Sequence, residues 1–213
     1  QMEDLTIEMN NELDALDLSV YVFNRLPKKN PTAAKIGDVK AHMNLTAREN
    51  ELDMTISLDN TDSIRNAGEI QVGALLQQYN NKPQANIHIQ PTEMVLNDSI
   101  WTINESDIIY TVAEKKMDIR SFSINTDFQR IAADGIASTD PNDSIEVELQ
   151  NIDLQYLLGY TEASKAISVQ GPLSGWAKIY GLFAQPMIEA NALLPNAGLN
   201  GTYLGDVTAT AYL

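Results

Sequence analysis

Strict alternation of apolar and polar residues runs through most of this sequence, and it restricts the backbone to extended strands. From residue 37 to 47 the odd positions are apolar, and from residue 51 to 59 the even positions are apolar. Side chains alternate across a strand, so each run has one apolar face and one polar face. Helical spacing is nearly absent, and we expect only a short helical turn over 153–158. The pattern predicts an all-β, antiparallel fold.

The parity reversal between the first two runs predicts a hairpin register. Pairing in which the residue numbers sum to 99 places both apolar sets on one face. This register pairs Ala47 with Leu52, Leu45 with Met54, Met43 with Ile56 and Ala41 with Leu58. The turn is then the short polar stretch at residues 48–51 or its two central residues.

A second hairpin is predicted around Pro141, where two apolar runs have the same parity. An odd-length connection centred on Pro141 pairs Ala137 with Ile145 and Ala133 with Leu149. The intervening residues 138–144, STDPNDS, are rich in turn formers.

A long sheet with one continuous apolar face must cover that face or use it. One interpretation is a self-filled β-sandwich or barrel, and the other is an exposed groove. The positions expected to line a groove all lie on apolar sides of alternating runs. They are Val39, Ala41, Met43, Leu45, Leu52, Met54, Ile56, Leu58, Ile70, Val72, Ile87, Ile89, Ile131, Ala133, Ile145, Val147, Leu149, Val207 and Ala209.

The charge of the chain argues against polyanionic partners. Its 213 residues carry a formal net charge of −15, so phosphate backbones and acidic lipid headgroups are repelled. Nucleic acid is therefore not an expected partner. The chain has no cysteine, which excludes disulfides, thiolate nucleophiles and zinc–thiolate sites.

No motif in the sequence indicates catalysis or metal binding. His42 and His88 lie at polar strand positions, where solvent exposure is the ordinary interpretation. An EF-hand loop beginning at Asp140 would place Ile145 where glycine is required and Asn151 where glutamate is required. P-loop, dinucleotide, nucleophile-elbow and HExxH motifs are missing. We expect a non-enzymatic protein without a cofactor.

A short internal repeat bears on domain organisation. Residues 36–41, IGDVKA, recur as residues 204–209, LGDVTA. One interpretation is that residues 1–35 end a preceding β unit, residues 36–203 form one long unit and residues 204–213 begin the next. The alternative is two unrelated strands that each begin after a Gly-Asp turn. In the first interpretation the chain is an internal piece of a longer protein.

Two segments, 131–158 and 169–213, resemble the TamB-like translocation and assembly module family of the AsmA-like superfamily. The second carries spaced glycines and a proline before an N-G-x-x-x-G-D strand. These positions are Gly171, Gly175, Pro186, Asn200, Gly201, Gly205 and Asp206. Residues 87–103 are similar to a family strand pair joined at Asn97-Asp98.

The resemblance implies an elongated, curled β-taco half-pipe with an apolar interior and no catalytic residues. It also implies a periplasmic protein of a Gram-negative envelope, with an inner-membrane anchor outside this sequence. Phospholipid acyl chains are the implied cargo. Further implied partners are outer-membrane β-barrel assembly proteins or their client strands.

Overall fold

The computed structural model describes residues 2–12, 15–24, 39–60, 65–96, 98–154 and 168–213. Sixteen antiparallel strands belong to one sheet, so the expectation of an all-β fold is confirmed. The strands are β1 (Met2–Glu12), β2 (Ala15–Asn24), β3 (Val39–Arg48), β4 (Glu51–Asn60), β5 (Ala67–Tyr79), β6 (Lys82–Ile89), β7 (Thr92–Leu96), β8 (Ser99–Ile103), β9 (Ser106–Thr111), β10 (Lys116–Asn125), β11 (Arg130–Ala137), β12 (Ser144–Asp153), β13 (Val169–Gln170), β14 (Pro172–Tyr180), β15 (Met187–Leu199) and β16 (Thr202–Tyr212). The 3₁₀ turn Val112–Glu114 precedes β10.

The sheet is a simple meander once its interrupted strands are recognised. β6 pairs with β9, and β7 pairs with β8, in one register: His88 is opposite Asp107 and Met94 is opposite Trp101. The segments β6–β7 and β8–β9 are therefore the two long arms of one hairpin, each broken by two residues. Both β13 and β14 pair with β15, and they form another interrupted strand. When each interrupted strand is counted once, the sixteen strands make thirteen successive rungs, where a rung is one strand position across the sheet.

The sheet is open rather than closed. β1 and β16 are its two edges, and among the described residues no pairing joins them. All the described strands lie in one antiparallel sheet, which is consistent with a curled sheet. In the described part of the chain, no helix has the length and apolarity needed to cross a membrane.

The register predicted for the first hairpin is confirmed. Leu45 is opposite Met54 and Met43 is opposite Ile56, and Glu49-Asn50 form the turn. Glu49 is the first residue of this two-residue turn, and its φ is 48°. The turn types favoured in two-residue hairpins require a positive φ at that position. The change of parity requires an odd sum of paired residue numbers, and the short polar stretch between the two apolar runs selects 99 among the odd sums.

The register predicted for the second hairpin is wrong by two residues. Ala133 is opposite Val147, not Leu149, and Ile145 is opposite Gly135, not Ala137. The connecting loop is longer because it bonds internally: Ser138 Oγ donates to Asp143 Oδ2 at 2.8 Å, and Asp140 N–H donates to Ser138 Oγ at 2.8 Å. A shift of two residues preserves the face of every side chain, so the alternation could not exclude it.

Two features predicted from the sequence fall partly outside the described residues. The helical turn expected over 153–158 extends into 155–158, which the structure does not describe. The proposed boundary at residues 35–36 also lies outside the described ranges. The boundary at 203–204 falls within β16, which pairs with β15 from Thr202 to Tyr212.

Candidate functional site

The candidate site is the apolar face, defined as the side of the sheet that carries Met43, Met54, Val72 and their cross-strand neighbours. Directly opposed residues of antiparallel strands point to the same side. Leu45 is opposite Met54, Met54 is opposite Val72, and Val72 is opposite Ile89. One continuous row of apolar positions therefore crosses β3 to β6.

The same face continues to the last strand. Ile87 is opposite Ile108, Ile108 is opposite Ile119, and Ile119 is opposite Gly135. From Gly135 the row passes through Ile145 and Ile179 to Ile188 on β15. On β16, Val207 and Ala209 are opposite Leu194 and Ala192. All nineteen positions predicted to line a groove thus lie on one face by register.

No charged residue occupies this face from β3 to β16 in the described strands. The rows also include apolar residues beyond the nineteen predicted groove positions. They are Ala47, Ala74, Leu76, Ala85, Met94, Trp101, Ile103, Ile108, Tyr110, Met117, Ile119, Phe122, Ile124, Leu173, Ala177, Ile179, Ile188, Ala190, Ala192 and Leu194. Many belong to short or interrupted strands, where too few residues alternate to give a clear signal.

The apolar face is only partly covered. On β3, β4 and β5 its described apolar side chains are half-buried or exposed, with Ile56 at 37% and Leu76 at 44% exposure. On β16, Val207 is 38% exposed. The whole chain has an accessible surface of 13435 Å², whereas a compact protein of its mass has about 9,800 Å². The face is not sealed like an ordinary core.

In the described strands, full burial of apolar side chains on this face is confined to the middle and C-terminal strands. The fully buried apolar side chains are Trp101, Ile103, Ala137, Ile145, Ile152 and Ala197. They lie on β8, β11, β12 and β15. The apolar face therefore has an open part over β3–β5 and a more enclosed part from β8 to β15.

The opposite side of the sheet, the polar face, carries cross-strand ion pairs. Arg130 Nη1 lies 2.8 Å from Glu148 Oε2, and Lys178 Nζ lies 3.3 Å from Glu146 Oε2. Lys82 binds Glu114, and this contact lowers the pKa of the Glu114 carboxyl. These charged side chains are substantially exposed, so each pair contributes little to stability. The face behaves as a solvated outer surface.

His88 on the polar face has two carboxylate neighbours that spacing along the sequence did not suggest. Its Nδ1 lies 2.9 Å from Asp107 Oδ1, and its Nε2 lies 3.5 Å from Glu105 Oε1. The turn at Asn97-Asp98 could have revealed the first contact, because extending its register places His88 opposite Asp107. The imidazole is 43% exposed. Among the described residues, no three His, Asp or Glu side chains are arranged to hold a metal ion.

The Asp-rich loop between β11 and β12 uses its acids in its own hydrogen bonds. Asp140 Oδ1 accepts from both the backbone N–H and the side-chain amide of Asn142 at 2.9 Å. These two bonds lower the pKa of Asp140. Asp143 accepts from Ser138 and lies 3.6 Å from Lys116 Nζ. Turn formation therefore accounts for the composition of this segment.

The chemistry of the apolar face is that of a water-excluding surface. It offers aliphatic, thioether and aromatic side chains, and methionine adapts to ligands of irregular shape. Such a surface suits an apolar ligand that is bound without sequence-specific polar contacts. Comparison with protein-family models, with curated proteins and with solved structures finds no match for this chain.

Proposed function

We propose that this chain shields lipid acyl chains on its apolar face as a segment of an envelope-spanning, TamB-like protein. In that role it supports phospholipid transport and outer-membrane protein assembly. The observation that carries the proposal is one uncharged apolar face, continuous through successive rungs and still half-exposed on β3–β5. The diffuse resemblance of residues 131–158 and 169–213 to the TamB-like family adds to it.

The energetics favour such a ligand. Exposing an acyl chain to water costs about 0.8 kcal/mol per CH₂, so on the order of 10 kcal/mol for a sixteen-carbon tail. Contact with Met43, Met54 and Ile56 replaces part of that water. The charged headgroup remains at the open side because the face has no charge to receive it. The apolar positions along the rows are similar to one another, so none of them binds an acyl chain much more tightly than the next. The acyl chain can therefore slide along the face.

The cellular setting follows from the resemblance. The protein would work in the periplasm of a Gram-negative bacterium, held to the inner membrane by a segment outside this sequence. Its partners would be phospholipid and, at the outer membrane, β-barrel assembly proteins or their client strands. The proposed role requires neither catalysis nor a cofactor.

The test compares lipid binding by two adjacent substitutions on opposite faces of β4. Met54 points to the apolar face, and its neighbour Thr55 points to the polar face. The purified protein is extracted with organic solvent for phospholipid, and it is titrated with a fluorescent long-chain fatty acid. We expect phospholipid in the extract and saturable probe binding. Met54→Asp should weaken probe binding at least fivefold, whereas Thr55→Asp should leave it within twofold.

Two results would contradict the proposal. One is a lipid-free protein that does not bind the probe. The other is equal weakening by the Met54 and Thr55 substitutions, which would mean that added charge and not the apolar face controls binding. Circular dichroism on each variant separates loss of binding from loss of fold.

A second candidate function, binding of extended strands at a sheet edge, is favoured by the character of β16. Its eleven residues contain no Lys, Arg or Pro, and Asp206 is the single charge among them. Natural edge strands use charged residues, especially Lys, and Pro to prevent unwanted pairing with other strands. Sedimentation equilibrium should therefore show concentration-dependent association of the 213-residue chain. Ala209→Pro should abolish it. A strictly monomeric chain at millimolar concentration contradicts this candidate.

A further inference from the structure

Irregular backbone positions are concentrated in the C-terminal strands of the sheet. From β10 to β16, residues inside or between paired segments have positive φ, and they are Ser121, Gly135, Asn151, Gly171, Asn196 and Gly205. In the described parts of β2 to β6 the registers run without interruption, and positive φ occurs at the turn residues Glu49, Asn80 and Asn81. Bulges bend the strand and increase its twist.

Three of these bulges share one hydrogen-bonding arrangement. The N–H of Ser121 donates to Asp134 Oδ2 at 2.9 Å, and the N–H of Asn196 donates to Asp206 Oδ1 at 2.9 Å. The N–H of Asn151 donates to Ser174 Oγ at 3.0 Å. In each case the acceptor side chain comes from the next rung of the meander. A bulge removes a backbone N–H from the ladder, and here a side chain satisfies it.

In both carboxylate cases a glycine lies next to the acid, although on opposite sides of it. Asp134 is followed by Gly135, and Asp206 is preceded by Gly205, and both glycines have positive φ. Each rung pair therefore has an irregularity on both strands at the same level. The register shifts at both places, and bulges of this kind bend the strand and increase its twist.

Four of the six fully buried apolar side chains lie on strands with these irregularities: Ala137, Ile145, Ile152 and Ala197, on β11, β12 and β15. The other two, Trp101 and Ile103, lie on the interrupted strand β8. On the regular strands β3–β5, by contrast, the described apolar side chains of the same face stay half-buried or exposed. A sheet that bends toward its apolar side brings distant side chains on that side together.

We infer that Asp134, Ser174 and Asp206 are positioning residues that set the curvature of the apolar face between β10 and β16. This inference rests on the proposed function, since the curvature then determines how closely the face surrounds a long-chain amphiphile. The three side chains do not touch the ligand. They act through the backbone N–H groups that they hold.

The experiment uses the 213-residue protein and exploits its lack of cysteine. Spin labels at Ile100→Cys on β8 and Thr208→Cys on β16 report the distance across all the bulged strands, because β8 precedes β10 and both residues are exposed. The variants are Asp134→Ala combined with Asp206→Ala, Asp206→Asn, and Asp53→Ala. The asparagine retains an acceptor oxygen, and Asp53 is an exposed acid on the regular strand β4.

We expect the double alanine variant to shift the inter-label distance and to weaken binding of a fluorescent long-chain fatty acid at least fivefold. Asp206→Asn and Asp53→Ala should keep the wild-type distance and bind the probe within twofold. An unchanged distance in the double alanine variant overturns the inference, and so does a changed distance with unchanged binding. A wild-type protein that binds no probe refutes the proposed function instead, and the distance measurement still decides whether the carboxylates set the curvature.

Discussion

The carboxylate oxygen Oδ1 of Asp206 accepts a hydrogen bond from the backbone N–H of Asn196 at 2.9 Å, across the β15–β16 pair. Gly205, next to Asp206, has a φ of +83°, and the registers shift between Leu194 and Ala197. The turn that closes the same hairpin is formed by Asn200 and Gly201, both with positive φ. The spaced Asn, Gly and Asp residues of this segment therefore have definite conformational roles: two make the turn, and two shape the bulge.

Replacement of Gly135 by alanine should destabilise the sheet much more than the same change at Gly73. At Gly135 φ is +118°, and a Cβ would lie 2.4 Å from the carbonyl oxygen of Ser144. We expect Gly135→Ala to cost about 2–3 kcal/mol in the free energy of unfolding. At Gly73 the nearest atom to a Cβ is Asp53 Oδ1 at 3.7 Å, so Gly73→Ala should be neutral or slightly stabilising. Urea denaturation measures both. Equal losses in the free energy of unfolding would mean that the positive φ and the close contact at Gly135 do not require glycine there.

A charge should be tolerated on the open part of the apolar face and not on the enclosed part. Ile56 is 37% exposed, and Ile152 is 1% exposed. Ile56→Asp places its carboxylate beside water and should lower the free energy of unfolding by about 1 kcal/mol. Ile152→Asp buries an unpaired charge and should cost about 3–5 kcal/mol. Thermal melting of the two variants decides between an open face and a filled core. A collapse with Ile56→Asp as severe as that with Ile152→Asp would favour the filled core.

Paired cysteines can test the register of β11 and β12. Ala133 is directly opposite Val147, whereas a connection centred on Pro141 would place it opposite Leu149. Directly opposed Cα atoms are about 4.5–5.5 Å apart, within the range that a disulfide spans. Under mild oxidation, Ala133→Cys with Val147→Cys should crosslink rapidly within one chain. Ala133→Cys with Leu149→Cys is the matched control and should crosslink poorly. Mass spectrometry of the oxidised proteins reads the outcome, and the reverse order would refute the register.

The loop between β11 and β12 should loosen in acid through Asp140. Hydrogen bonds from the backbone and side chain of Asn142 lower the pKa of Asp140 below its usual 3.8. A lowered folded-state pKa means that the stabilisation is complete above the usual pKa and is lost as the pH falls through the folded-state value. The amide proton of Asn142 should therefore shift in NMR spectra below pH 3.8 and not near neutrality. Asp140→Asn should remove this titration while keeping an acceptor oxygen, and an unchanged titration would assign it to another acid.

The sequence indicated the strands and faces wherever long runs alternate. Leu45 and Met54 are opposed as predicted, since the change of parity requires an odd sum of paired numbers and the short polar stretch at residues 48–51 places the turn. The β11–β12 register was missed because its loop is stabilised by Ser138, Asp140 and Asp143, and such side-chain bonds leave no trace in an alternation. The proximity of His88 to Asp107 was missed for a related reason: β6–β9 is one hairpin interrupted by short breaks, and its halves read as separate strands.

The amino-acid sequence by itself determined the strand class, the separation of apolar from polar faces and the positions that share the apolar face. These follow from the two-residue period of a strand, which is a local property of the chain. The tertiary structure alone decided which parts of that face are open and which are enclosed. Enclosure depends on bulges at Ser121, Asn151 and Asn196, and their bend requires acceptors on neighbouring rungs, 13, 23 and 10 residues away in sequence. A local period cannot specify contacts of that kind, because they form only after the strands have paired.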